Sequence, residues 1–240
     1  MGAVFRTGRL FEVAFPALCP GCEGPLGGSN RGLCAACRGE LLPLAGPACP
    51  RCGKPLTGME ELCLECLDSP GPGDGGLIWG EYQGMLRRAL LALKHGGHDE
   101  LAPLLGGLFS AALSGSSWIA ELDLLTAVPS HPWHRLRRGY SAAETLAEEV
   151  ARRLDLKYSP VLRRRGLARQ ARRSRSERLK LGPDEFSLRH GARVAGLNIL
   201  VVDDVMTTGT TIQRVVNLLK GAGSGKIFTA ALAWSAPSGS

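Results

Sequence analysis

Beyond residue 76 the apolar positions of the chain follow two alternating periods. Four short runs read as strands: "LIWGEYQ" (77–83), "DLLTAVP" (123–129), "LNILVV" (197–202) and "KIFTAALA" (226–233). Between them the period lengthens to that of a helix. "GMLRRALLALKHGG" (84–97) places Leu86, Ala89, Leu90 and Leu93 on one face and stops at a glycine pair. "DELAPLLGGLFSAAL" (99–113) is a second helix despite its proline and glycines. "SAAETLAEEVARRL" (141–154) opens with a capping box, Ser141 and Glu144, and carries Leu146, Val150 and Leu154 as its buried stripe. "TTIQRVVNLLKGAG" (210–223) ends in glycine. Strand and helix in alternation predict an α/β fold, a parallel sheet flanked by helices.

The region before residue 69 has a different grammar. All eight cysteines lie there, as four Cys-x-x-Cys pairs: Cys19/Cys22, Cys34/Cys37, Cys49/Cys52 and Cys63/Cys66. "CPGCEGPL" (19–26) returns as "CPRCGKPL" (49–56), and "LCAAC" (33–37) returns as "LCLEC" (62–66). This is a tandem duplication of about 30 residues. Two such pairs complete a tetrahedral thiolate site, so the eight cysteines fit two structural zinc ions with no open coordination position. Cys19, Cys22, Cys34 and Cys37 would hold one ion and Cys49, Cys52, Cys63 and Cys66 the other; an interleaved pairing is the alternative. Disulfides and an iron–sulfur cluster are the competing uses of these cysteines. Leu10, Phe11, Val13 and Ala14 are spaced like one face of a short N-terminal helix. The expected organisation is a double zinc-ribbon module with that helix (1–68), a linker (69–76) and an α/β domain (77–240).

No apolar run reaches membrane-spanning length, and the N-terminus lacks the uninterrupted apolar stretch of a signal peptide, so a cytoplasmic protein without membrane insertion is expected. The net charge of +7 is concentrated. "RRRGLARQARRSRSERLK" (163–180) holds nine Lys/Arg and one Glu, and the remainder of the chain is close to neutral. Such a strip is either a solvated surface or a place for phosphate-rich ligands.

The densest chemistry lies in "ILVVDDVMTTGTT" (199–211). A strand ending at Val202 puts Asp203 and Asp204 at its carboxyl end, where parallel sheets bind ligands. Thr207, Thr208, Gly209, Thr210 and Thr211 then form a loop at a helix N-terminus, a setting in which main-chain amides and hydroxyls hold a phosphate. Ionised carboxylates are pure acceptors and suit hydroxyl groups. A sugar carrying a terminal phosphate satisfies both halves.

"VVDDVMTTGTT" resembles the phosphoribosyl-diphosphate-binding signature of type I phosphoribosyltransferases. With the cysteine module ahead of it, and with "LKHGG" (93–97), "VPSHPWHRLRRGYS" (128–141) and the basic segment containing Gln170 and Arg178, the chain is similar to the ComF family, bacterial proteins associated with DNA uptake in natural transformation. The resemblance implies a type I phosphoribosyltransferase-like fold behind a double zinc ribbon. It implies that Asp203 and Asp204, the residues named as catalytic, bind ribose hydroxyls, and that Thr207–Thr211 bind the 5-phosphate. Ser130, Arg135, Arg138 and Lys94 would face the diphosphate, with magnesium bridging ligand oxygens. Arg163, Arg164, Arg165, Arg172 and Arg173 are candidates for contact with single-stranded DNA, and a DNA-uptake helicase is a candidate partner. Any chemistry would be displacement of diphosphate from the anomeric carbon, for an acceptor the sequence does not name. A metabolic phosphoribosyltransferase for nucleotide or base salvage, with a purely structural zinc module, is the alternative. One departure stands out: Ser141, Ala142 and Ala143 follow Gly139–Tyr140 where the family often has asparagine and glutamine, on the acceptor side of the pocket.

Overall fold

The computed structural model describes residues 17–26, 32–68, 71–95, 97–130, 141–165 and 185–236. The expected N-terminal helix lies outside these residues.

The four strands expected from the apolar runs form one sheet in the order β1 (Gly75–Glu81), β6 (Ile227–Trp234), β5 (Ile199–Met206), β2 (Leu124–Ala127), and every pair in it is parallel. β1 begins at Gly75, inside the stretch read as a linker. Asp74 fastens that entry point: its carboxylate accepts from the Ile227 amide and from Lys220 Nζ, each at 2.7 Å. A short antiparallel ribbon of β3 (Leu162–Arg164) and β4 (Phe186–Leu188), not visible in the periodicity, stands beside the sheet.

Helices cover both faces. α3 (Gly84–His95), α4 (Ala102–Ser114) and α5 (Ala142–Leu154) pack on one face, where Leu90, Leu93, Phe109 and Leu146 are fully buried with Leu200 and Val202 of β5. α6 (Thr210–Gly221) covers the other through Ile212, Val215 and Leu219 against Ile199 and Val201, and the β3–β4 ribbon shares that layer. The strands are apolar on both sides because both sides are covered. The Ser141 half of the capping box at α5 forms, with Ser141 Oγ accepting from the Glu144 amide at 3.4 Å. The glycines of α4 have a packing cause: a Cβ on Gly106 would lie 2.4 Å from Glu149 Cγ of α5, so the two helices cross closer than any side chain allows.

The cysteine repeats fold into two copies of one knuckle. In the first, the Cys19 amide bonds the Gly24 carbonyl and the Glu23 amide bonds the Cys19 carbonyl; in the second, the Cys49 amide bonds the Lys54 carbonyl and the Gly53 amide bonds the Cys49 carbonyl. Each repeat closes with a five-residue helix, α1 (Ala35–Gly39) and α2 (Leu64–Asp68). The copies rest on different parts of the body. The first sits on α3, where Arg88 donates to the Gly21 carbonyl at 2.9 Å and Cys19 and Cys37 join the core around Met85. The second lies main chain to main chain on β1, with the Gly76 amide donating to the Pro50 carbonyl at 3.0 Å.

The equivalent turn positions Glu23 and Gly53 are both left-handed, at φ 59° and 76°. Only the second needs to be glycine, because a Cβ on Gly53 would meet Leu77 and Ile78 backbone atoms at 2.6–2.7 Å. Gly53→Ala should therefore destabilise the protein by about 2–4 kcal/mol, a left-handed penalty plus a main-chain clash. Glu23→Gly at the matching position should change stability by less than about 1 kcal/mol. Thermal unfolding of the two variants beside the wild type checks the contrast.

Candidate functional site

The eight cysteines are free thiols gathered in two sets, Cys19/Cys22/Cys34/Cys37 and Cys49/Cys52/Cys63/Cys66, and within each set the sulfurs lie within 4.8 Å of one another. The sequential grouping is the one that converges. Cys22 Sγ and Cys34 Sγ are 3.8 Å apart, and Cys52 Sγ and Cys63 Sγ 3.5 Å. A tetrahedral zinc ion with bonds of about 2.3 Å requires sulfurs about 3.8 Å apart, so both sets fit the ion. Burial works against a thiolate at Cys19, but the amides of Cys34 and Gly21, at 3.3 and 3.4 Å, help to hold its thiol down at about 6. Cys49 is likewise held down, to about 7, by amide donors that overcome its burial. Each set thus contains one thiol ready to ionise first, as metal capture needs. With four protein sulfurs on each ion there is no vacancy for water or substrate, so the metal's contribution is to hold the knuckles in shape.

At the carboxyl edge of the sheet, β5 runs further than its apolar residues suggest. Pairing with β6 continues through Asp203↔Ala231, Val205↔Ala233 and Met206↔Trp234, so the two aspartates lie within the strand rather than after it. Alternation along a strand turns them to opposite sides. Asp204 meets Lys94, near the end of α3, at 2.8 Å. Asp203 accepts from the Asp204 amide at 2.9 Å. Burial, then the neighbouring charge of Asp204, pushes the Asp203 carboxyl up to about 8, against the pull of that amide, Lys94 and Arg164. The structure therefore brings together three of the predicted residues, Asp203, Asp204 and Lys94.

The loop that follows is polar and open. Thr207, Thr208 and Thr210 are exposed, and Thr208 and Thr210 share a hydroxyl–hydroxyl bond of 2.9 Å. Gly209 adopts φ 78° at the N-cap of α6, a conformation that favours glycine. Its N-cap, Gly209, has no side chain to cap it; the Thr210 amide reaches Thr208 Oγ1 at 3.5 Å, and the amide of Thr211 has no acceptor among the described residues. Ser130, three residues past β2, has a buried hydroxyl with no hydrogen-bond partner among the described residues. Arg135, Arg138, Arg172 and Arg173 lie outside the described residues.

The start of the basic segment is integrated into the fold. Arg163 is exposed but donates to Ser187 Oγ at 2.9 Å. Arg164 pairs with Glu185 and lies 5.5 Å from the centre of the Phe186 ring. The Arg165 amide bonds the Glu185 carbonyl at 2.7 Å. Glu185 also takes Arg214 of α6 at 2.6 Å, tying β4 to the helix that begins at the threonine loop. Sequence patterning did not single out Glu185, Arg214 or Lys54; local spacing holds no signal for partners that meet only through the fold. Across the threonine loop from Asp203, a cavity of about 230 Å³ separates Thr208–Thr210 from the second ribbon.

Metal analysis of the purified protein should return two zinc ions per chain. Cys34→Ser and Cys63→Ser should each lower the count to one, because each removes a ligand from a different site.

Comparison with known proteins agrees with this two-part design. Residues 10–67 match the model of the double zinc ribbon domain, and residues 140–239 match that of the phosphoribosyl transferase domain. The DNA utilization protein YhgH of Escherichia coli is 27% identical over 218 residues, covering 90% of this chain and 96% of that protein. Competence protein F of Haemophilus influenzae is 29% identical over 219 residues, covering 85% and 91%. Competence protein ComFC of Bacillus subtilis is 26% identical over 194 residues, covering 78% and 77%. These relatives cover 78–90% of the chain, ribbons and sheet together; the chain is similar to these DNA utilization and competence proteins and carries a double zinc ribbon ahead of a phosphoribosyl transferase domain.

Proposed function

We propose that this protein binds phosphoribosyl diphosphate at the carboxyl edge of its sheet and serves DNA uptake; the names of its relatives, a DNA utilization protein and a competence protein, support this reading. The observation that carries this reading is the N-terminus of α6, where the N-cap Gly209 offers no side chain to the first-turn amides and four threonines flank it, one strand-end away from an acidic pair. Anion and diol are the two chemically distinct ends of a ribose 5-phosphate, and the site offers donors for one and acceptors for the other.

The residues then divide the work. Amides and hydroxyls of Thr207–Thr211 hold the 5-phosphate. Asp203 and Asp204 accept from the ribose hydroxyls, with Lys94 balancing Asp204 at 2.8 Å. Ser130, buried and unpartnered among the described residues, donates to the diphosphate, joined by Arg135 and Arg138. The paired carboxylates and the ligand's own oxygens suit a magnesium ion, which when bound neutralises diphosphate charge. If the protein transfers the sugar, its part in the reaction is to orient the ligand and to stabilise the departing diphosphate. Thiol pairs arranged for zinc suit the reducing cytoplasm. Among the described residues no helix is long and apolar enough to cross a membrane.

Calorimetry with phosphoribosyl diphosphate and magnesium tests the pocket. The wild type should bind, and Asp203→Ala/Asp204→Ala should bind about a hundredfold more weakly or worse, the loss of two charge-assisted acceptors. Asp203 accepts hydroxyl donors best when ionised, and its raised pKa means it must lose a proton to do so. Affinity should therefore climb as pH rises towards about 8 and level off above, and Asp203→Asn should flatten that climb. Equal affinity in wild type and double alanine variant would remove the reading.

Single-stranded DNA would meet the basic segment through Arg163, Arg172 and Arg173 rather than through Arg164, which pairs with Glu185 and whose charge acts on Asp203. Each phosphate contact on a single strand contributes about 0.7 to the slope of log K against log salt. Replacing Arg163, Arg172 and Arg173 together by alanine should reduce that slope by about 2 while sugar binding is kept. Salt titrations of fluorescent oligonucleotide binding measure it, and an unchanged slope would take these arginines off the DNA.

A further inference from the structure

The cavity beside the threonine loop has two walls of different origin. Thr208, Gly209, Thr210, Gln213 and Arg214 form one; the second ribbon forms the other, through Cys52, Lys54, Glu65 and Cys66. Lys54 is only 6% exposed, an unusual place for an ammonium group. Its one hydrogen-bond partner among the described residues is the Glu65 carboxylate, a single acceptor for a group with three donors. Arg214 on the facing wall is held by Glu185. The cavity therefore gathers two cations and one lining carboxylate, Glu65, against a helix N-terminus whose N-cap is a glycine.

The duplication supplies an internal control. Lys54 occupies the repeat position that Gly24 holds in the first ribbon, and the main-chain bonds of the two turns are the same, Cys19 N–H to Gly24 and Cys49 N–H to Lys54, each 2.8 Å. The knuckle does not need a lysine to fold. The lysine is found in the copy that faces the threonine loop.

We propose that Lys54 is a positioning residue for the sugar phosphate: the second ribbon closes the phosphate end of the pocket and lends it a cation from outside the α/β body. This rests on the reading of the loop given above. Glu65 holds the ammonium in place and leaves donors for a phosphate oxygen, at a buried site where charge is weakly screened. The second four-cysteine site, by fixing Cys52 and Cys66 around Lys54, becomes part of the ligand pocket without touching the ligand. The first site, docked on α3, has no such role.

Calorimetry with ribose 5-phosphate and separately with inorganic pyrophosphate distinguishes this from a structural role. Lys54→Gln should weaken ribose 5-phosphate binding about tenfold and leave pyrophosphate, which goes to the Ser130 side, unchanged; Lys54→Arg should retain most of the affinity. Cys63→Ser/Cys66→Ser should reproduce the loss, and Cys22→Ser/Cys34→Ser should not. Zinc content and melting temperature of each variant show whether its fold is intact. Wild-type binding of ribose 5-phosphate undiminished in a folded Lys54→Gln variant would overturn this proposal alone. Equal losses for both ligands would make Lys54 merely structural and overturn it too. A wild type that binds neither ligand would overturn the pocket itself and this proposal with it.

Discussion

The ladder between β5 and β6 is the constraint on which the site depends. It runs in register from Ile199↔Ile227 to Met206↔Trp234, past the apolar run 199–202 and through both aspartates. Aspartate is a poor strand former, and its place here is secured by the small, buried Ala231 and Ala233 alongside. Because the main chain at Asp203 and Asp204 is held in the ladder, the pleat of the strand there decides where the two carboxylates go. One is sent to α3 and Lys94, the other towards the layer of α6 and the β3–β4 ribbon. A flexible acidic turn could not make that separation.

The separation gives the two acids different chemistry. Asp204 has a cation at 2.8 Å, whereas Asp203 is half-buried, accepts from a main-chain amide at 2.9 Å and carries the raised pKa. Two adjacent carboxylates that cannot comfortably ionise together form a store of proton and charge that an entering ligand can reset. The apolar sheet beneath sets the low dielectric that sharpens this effect, which connects the packing of Leu200 and Val202 to events a few residues along the same strand.

Much of this was legible before any coordinates. The sheet strands, the Ser141 cap, the start of α6 at Thr210 and the two cysteine sets follow from periodicity, capping chemistry and repetition, all short-range signals. What was not legible depends on pairs far apart in the chain. The extension of β5 through Met206 required β6; the β3–β4 ribbon joins Leu162 to Leu188 across the basic segment in three-residue strands too short for any period. Arg163 and Arg164 read as free positive charge in the sequence and turn out to be engaged with Ser187 and Glu185. The glycines that blurred α4 were the mark of a close helix crossing at Glu149, not of a broken helix.

The contact of Gly53 with β1 bears on how the duplicated segment has been used. Two copies of one metal-binding turn began as equivalents, yet each now fits a different seat: Gly21 under Met85, Gly53 on the backbone of Leu77 and Ile78. Once docked, neither copy can exchange with the other, since the glutamate and glycine of "CEG" in the first would not fit where the glycine and lysine of "CGK" lie in the second. Redundancy in the sequence has become division of labour in space, with one copy serving as a foundation and its twin free to specialise at the rim of the cleft.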